Sequence, residues 1–335
     1  MIRTWRAFAR VMAGVAVLVL VSGCAPATTD VVPGEVTALS TEPAVPAQAR
    51  VVVTTGYGSE TIVDTAVTLE EGATAMQALR LVADVGTAYG GGFVQSINGI
   101  GATRERRTDW FYAVNGILAN RGAAEHVLRG GDVEHWDYRQ WGFRRNVSAT
   151  LGCFPSFFLN GYNGRVRPTV VAYEAQYESD AAPIAAWLQA YGVDGVESVE
   201  LTLLPDEWKK ERNLIVVAGP GHETVREVFA LWDKLGLFTR LEGSSLRVYT
   251  SSGEEAAVFT EGTGILEAMQ NPWNPSGTGA CENVVLLVSG TDADGVRAAA
   301  GALVESSAAM TAWSGAVVLE GVPMSVPLGA TPDGT

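Results

Sequence analysis

Histidine and cysteine are both scarce: the chain of 335 residues has three of each. His126, His135 and His222 are scattered, and no pair has the spacing that gives one metal ion neighbouring ligands. His135 and Asp137 share one strand face and read as a surface pair. Cys153 lies between Gly152 and Phe154 with no histidine signature, and no G-x-S-x-G elbow appears. With no catalytic constellation legible, the chain reads as a non-enzyme with neither cofactor nor metal. Acids are too plentiful for one carboxylate pair to stand out, which leaves hydrolysis of wall glycan as the catalytic alternative.

Basic residues are in deficit, 23 Lys and Arg against 37 Asp and Glu, a net charge of −14. Without Arg3, Arg6 and Arg10, which belong to an N-terminal leader, 20 basic and 37 acidic residues remain, net −17. That balance argues against nucleic acid as a partner and against a surface lying flat on anionic lipid.

Long apolar runs are limited to residues 11–21. This run is too short for a comfortable membrane span, which needs ~20 residues. It comes after the three leader arginines and ends in Val21-Ser22-Gly23-Cys24, the order of a lipoprotein signal over residues 1–23. Cleavage before Cys24 and acylation of its thiol anchor a protein stably once two or more chains are present. The expected location is extracytoplasmic, held to a bacterial membrane by lipid on Cys24. Residues 24–50, rich in Ala, Thr, Pro and Val, read as a flexible tether, and residues 323–335 as a loose tail. With Cys24 acylated, Cys153 and Cys281 are the candidate disulfide in an oxidising compartment, provided their Cα atoms come close enough.

About 280 residues remain, enough for two domains. In the first, 51–145, segments 51–55, 61–69, 93–97, 110–114 and 133–138 have strand composition. Thr74 is a fitting N-cap for a helix whose buried stripe is Ala75, Ala78, Leu79 and Val82. Asn98-Gly99 and Asn115-Gly116 suit the positive φ of tight hairpins. The sum is an α+β unit, a small sheet with one helix.

The motifs here carry a resemblance: Gly72-Ala73-Thr74-Ala75-Met76-Gln77-Ala78-Leu79, then Gly91-Gly92-Phe93-Val94-Gln95-Ser96-Ile97-Asn98-Gly99-Ile100. Trp110-Phe111-Tyr112-Ala113-Val114-Asn115-Gly116 and Gly131-Asp132-Val133-Glu134-His135-Trp136-Asp137-Tyr138 come after them in the chain. In this order they resemble the bacterial domain related to the C-terminal β-domain of transcobalamin and intrinsic factor, and through it the β-grasp soluble-ligand-binding modules. The resemblance implies a β-grasp-like fold and capture of a small molecule, with cobalamin or another corrinoid as a bound ligand. The large α/α barrel against which transcobalamin closes is absent, so the clamp itself is not implied.

Aromatic and Arg residues crowd the end of this domain and the segment joining it to the second. Trp110, Tyr112, Asn115, Trp136, Tyr138, Trp141, Phe143, Arg144, Phe157 and Tyr162 form the candidate ligand-binding set. Rings with guanidinium groups suit a flat, partly apolar ligand such as a corrin or a carbohydrate. The same residues equally suit a buried seam between domains, in a structural or adhesive module that binds protein or wall polymer.

The second domain, 150–322, alternates strand and helix. Strands at 169–173, 199–204, 213–219 and 283–290 with helices at 181–191, 223–235 and 292–304 predict an α/β unit with a mostly parallel sheet. Its two strand–Gly–helix units look alike and resemble a strand-and-helix element of surface-layer proteins. Residues 262–275 read as a loop, and together with Gly219-Pro220-Gly221-His222 make a second candidate site at the strand ends.

Overall fold

The computed structural model describes residues 46–329, and Cys24 with the leader lies outside them. The Val- and Thr-rich segment expected near residue 51 is a strand that begins at Gln48, inside the proposed tether: β1 (Gln48–Thr55), with β2 (Glu60–Thr68) after it. Helix α1 (Ala75–Val82) starts where Thr74 accepts from the Gln77 amide while the Gln77 side chain accepts from the Thr74 amide. This reciprocal pair satisfies two helix-end donors. Then come β3 (Val85–Ala88), β4 (Phe93–Ile97), β5 (Ile100–Gly101), β6 (Thr108–Val114), β7 (Ile117–Leu118) and β8 (Val133–Gln140). Both Asn-Gly pairs make the expected turns, with φ of 49° and 80° at Asn98-Gly99 and 52° and 79° at Asn115-Gly116. The first sheet has the order β2-β1-β8-β6-β7, with β1 and β8 parallel at its centre, and β3, β4 and β5 form a separate small sheet.

After α2 (Ser156–Leu159), the chain continues with β9 (Thr169–Tyr173), α3 (Glu178–Ala190), β10 (Glu197–Glu200), α4 (Asp206–Glu211), β11 (Asn213–Val217), α5 (Glu223–Ala230) and α6 (Trp232–Leu235). The hairpin strands β12 (Thr239–Glu242), β13 (Ser245–Tyr249) and β14 (Glu255–Phe259) make a third sheet. Last are β15 (Thr263–Gln270), β16 (Val284–Gly290), α7 (Ala293–Ser306), β17 (Gly315–Leu319) and β18 (Val322–Val326). The large sheet runs β10-β9-β11-β16-β15-β17-β18.

That sheet corrects three expectations. It is parallel only across β10, β9, β11 and β16; β15, β17 and β18 add antiparallel pairs, so it is mixed rather than mostly parallel. Residues 263–270, expected as loop, form a wholly buried strand that carries apolar Ile265, Leu266, Ala268 and Met269 and lies between β16 and β17. The proposed tail contributes β18, which pairs with β17.

The boundary near residue 150 does not separate two cores. One buried cluster contains Val51 and Trp136 of the first sheet, Leu151, Phe157 and Phe158 of the connecting segment, and Val171, Leu266 and Leu303 of the second half. Burying each such side chain contributes about 1.5–3 kcal/mol, so the connecting segment fastens the halves instead of flexing between them. The described chain accordingly groups as one unit, mixed α/β and rich in strands. None of its helices is long and apolar enough to cross a membrane.

Candidate ligand-binding cleft

Most of the candidate aromatics lie inside. Trp110 is 5% exposed, Trp136 3%, Phe157 1% and Tyr162 4%. Alternation puts Trp110 with Tyr112 on one face of β6 and Trp136 with Tyr138 on one face of β8, and the pairing of these strands joins all four on one face of the first sheet. That face is covered, since α1 packs on β1 and β2 and β4 packs on β6. Their polar atoms are engaged: Trp110 Nε1 donates to the Ile100 carbonyl at 2.9 Å, and the Tyr138 hydroxyl donates to the Gly101 carbonyl at 2.9 Å. Tyr112 stacks on Trp136 with ring centroids 4.7 Å apart.

Asn115 is a clamp. Its Nδ2 donates to Asp132 Oδ1 at 2.7 Å and the Gly161 carbonyl at 2.9 Å, and its Oδ1 accepts from the Val133 amide at 2.8 Å. Arg144 is sandwiched between Phe143 (3.8 Å) and Trp232 (4.2 Å), pairs with Asp233, and donates from Nε to the Leu237 carbonyl at 2.8 Å. Phe143 and Trp141 are half-buried. The proposed stacking platform for a flat ligand is therefore core and seam.

Three further expectations change. Cys153 and Cys281 are free, buried thiols: Cys153 packs beside Gly116, while Cys281 Sγ donates to the Leu118 carbonyl at 3.3 Å. His135 and Asp137 are not a surface pair. They face inward, and Thr54 Oγ1 lies 2.8 Å from both His135 Nε2 and Asp137 Oδ1. Since the single Thr54 proton goes to the carboxylate, His135 donates from Nε2. Burial, and then Arg139 and Arg50, hold its pKa down to about 3. The turn at Gly219 is occupied by the protein's own groups: Glu174 Oε2 accepts from the Gly219 amide at 2.9 Å, and His222 Nδ1 caps the Thr224 amide at 3.2 Å. A carboxylate already resting there repels an anion.

An open cleft of about 520 Å³ lies elsewhere. One wall is the loop between β7 and β8, which supplies Asn120, Arg121, Glu125 and Arg129. Backbone bonds stitch this loop to the start of α1: the Ala75 amide donates to the His126 carbonyl at 2.8 Å and the Leu128 amide to the Ala73 carbonyl at 2.9 Å. The opposite wall is the tight turn Tyr162-Asn163-Gly164-Arg165 with Arg167 beyond it. Asn163 and Gly164 have φ of 54° and 69°, and Tyr162 and Arg165 exchange backbone bonds of 3.3 and 3.0 Å, the geometry that Asn-Gly favours. Cys281 and Glu282, between β15 and β16, close the third side.

The floor is neutral and the walls are charged. Tyr162 accepts from the Asn120 amide at 3.2 Å and donates to Asn120 Oδ1 at 3.1 Å. Burial pushes its pKa up to about 12 and that of Cys281 to about 11. His126, fully buried and edge-on to Tyr162 at 4.9 Å, is held down to about 4 by burial and then by Arg121 and Arg129. Arg167 pairs with Glu282 at 3.2 Å. Among the described residues, Arg121, Arg129 and Arg165 make no ion pair.

Of the residues proposed from sequence, only Tyr162 and Cys281 line this cleft. The arginines went unnoticed because Arg121 and Arg129 lie about 40 residues from Arg165 and Arg167, and only the fold joins them. The available signal was the Arg165-Val166-Arg167 doublet beside an Asn-Gly turn, in a chain poor in basic residues.

Residues 72–140 match the family described as Domain of unknown function (DUF4430). Among solved structures, haptocorrin in complex with Cbi is similar at 19% identity, covering 29% of this chain, with a TM-score of 0.25. This chain spans about a quarter (26%) of that one. A protein from Ruminococcus gnavus ATCC 29149 to which metal binding has been ascribed is similar at 14% identity, covering 28% of this chain and 97% of its own, with a TM-score of 0.23. No curated protein matches. Among the described residues, no group of three or more His, Cys, Asp and Glu side chains is placed to hold a metal ion.

Proposed function

We propose that this protein is a lipid-anchored, extracytoplasmic, non-catalytic binding protein that captures a small polar molecule in the arginine-lined cleft. The observation that carries this reading is the convergence of polar side chains from three separate chain segments on one open cavity of about 520 Å³. Ligand pockets commonly measure about 300–1,000 Å³, with a few placed polar groups. The leader and Cys24 support the location, since basic segment, apolar run and lipobox occur in the right order.

The ligand that the transcobalamin-like motifs and the aromatic segment together suggest is cobalamin or a related corrinoid. Trp110, Trp136, Tyr138 and Phe157 are buried and offer a corrin ring little face to stack on, and the cleft's one ring, Tyr162, is 4% exposed. A smaller, more polar ligand fits better. The second reading, a structural envelope module binding protein or wall polymer, is favoured by the same burial, because the aromatics then serve only to fasten the halves.

A thermal-unfolding screen of the full chain in detergent micelles separates the two. The panel would hold neutral sugars, amino acids, cobalamin, cobinamide and small anions. A rise in Tm with a small polar compound supports capture. No shift with any compound at millimolar concentration refutes it and leaves the structural reading.

A further inference from the structure

From the cleft's charge pattern we propose that its ligand carries two closely spaced negative groups, as in a diphosphate or a small di- or tricarboxylate; this rests on the binding reading above. Four arginines and two carboxylates line the cavity, leaving a local charge of about +2 on a protein whose total is −14. At physiological salt, charges beyond about 8 Å are largely screened, so the local excess decides what the cleft holds.

The arginines are also close together. A Cβ built on Gly164 would lie 2.6 Å from Arg129 Nε, so the Arg129 side chain lies across the turn that presents Arg165. Arg167 is two residues further on, fixed by Glu282. Guanidinium groups gathered around one cleft repel one another, and an anion between them relieves that repulsion. A planar fork of N–H donors binds carboxylate or phosphate oxygens in pairs, so several forks side by side call for more than one anionic group. Asn120 and Asn163 add neutral polar contacts on either wall. Tyr162 and Cys281, which line the cleft, and His126, buried behind Tyr162, stay neutral and add no competing charge.

The test is calorimetric titration of the full chain in detergent micelles with pyrophosphate, citrate, orthophosphate, acetate and glucose. Pyrophosphate, citrate or both should bind at least tenfold more tightly than orthophosphate and acetate; which of the two binds distinguishes phosphate from carboxylate chemistry. Arg129→Gln and Arg165→Gln, at exposed positions, should each weaken binding roughly 10- to 100-fold, while exposed Arg145→Gln, outside the cleft, should not. An unchanged unfolding midpoint in the variants would tie the loss to binding. Equal affinity for single and double anions overturns the proposal, as does anion binding that survives both substitutions. Binding of glucose without any anion overturns it yet keeps small-molecule capture; if this set stays silent while another neutral compound raises Tm in the screen, the result is the same. Silence in both experiments overturns both readings.

Discussion

Glu134 offers a sharp test of how the first sheet is built. Its carboxyl is fully buried on β8, with Oε1 accepting from Trp136 Nε1 at 2.5 Å and Oε2 without a partner. Burial raises its pKa from 4.5 to about 8, against the smaller opposing effect of the Trp136 bond. The sign comes from linkage. Below pH 4.5 the carboxyl is protonated in both folded and unfolded chains and costs nothing. As pH rises the unfolded chain ionises first, so stability falls until the folded carboxyl ionises near pH 8. The full swing is on the order of 4–5 kcal/mol. Glu134→Gln keeps the acceptor for Trp136 and cannot ionise. The assay is urea unfolding of both chains between pH 4.5 and 9. The Gln chain should gain several kcal/mol relative to the parent across that range. His126 and His135, with pKa values of about 4 and 3, lose their contribution as pH falls from 6.5, but equally in both chains, so the difference isolates Glu134. Parallel stability curves with a constant offset would refute the reasoning.

Other substitutions probe the seam and the turns. Asn115→Ala removes three buried bonds among Val133, Asp132 and Gly161, and should cost about 2–4 kcal/mol in urea unfolding. Gly116→Ala sets a Cβ 2.8 Å from that of Cys153 on backbone with φ of 79°, so a loss of at least about 2 kcal/mol is expected by the same measurement. Cys153 and Cys281, free and buried, should resist a thiol reagent in the native chain and react in denaturant without prior reduction; a need for reductant would mean that they pair.

Much of the first sheet was legible, for local reasons. Thr74 and Gln77 carry the helix start, and the Asn-Gly pairs fix their own hairpins by tolerating positive φ. Alternation puts Trp110 with Tyr112, and separately Trp136 with Tyr138, each pair on one face of its own strand; that the four share a face comes from the pairing of β6 with β8. Alternation says nothing of what covers that face, which α1 and β4 decide through tertiary packing. The same limit hid β15. Gly262 and Gly264 look like a loop, yet Gly264 is required by close packing against α7, where a Cβ would lie 2.6 Å from the Gly295 carbonyl oxygen. Glu267 reads as a solvent residue, but is buried and accepts from Thr239 Oγ1 at 2.6 Å. The cleft was least legible, because its four arginines belong to two segments that tertiary contacts bring together, among them Asn115 Nδ2 to the Gly161 carbonyl, Asn160 Nδ2 to the Gly131 carbonyl and the Asn120 amide to the Tyr162 hydroxyl.

Hydrogen exchange, with the compound that raises Tm most, tests capture in the cleft most directly. Capture there predicts slower exchange of backbone amides in residues 120–129, 162–167 and 280–282 and little change elsewhere, since those segments line the cavity. Protection confined to other segments, or none at a concentration that saturates the Tm shift, would contradict it.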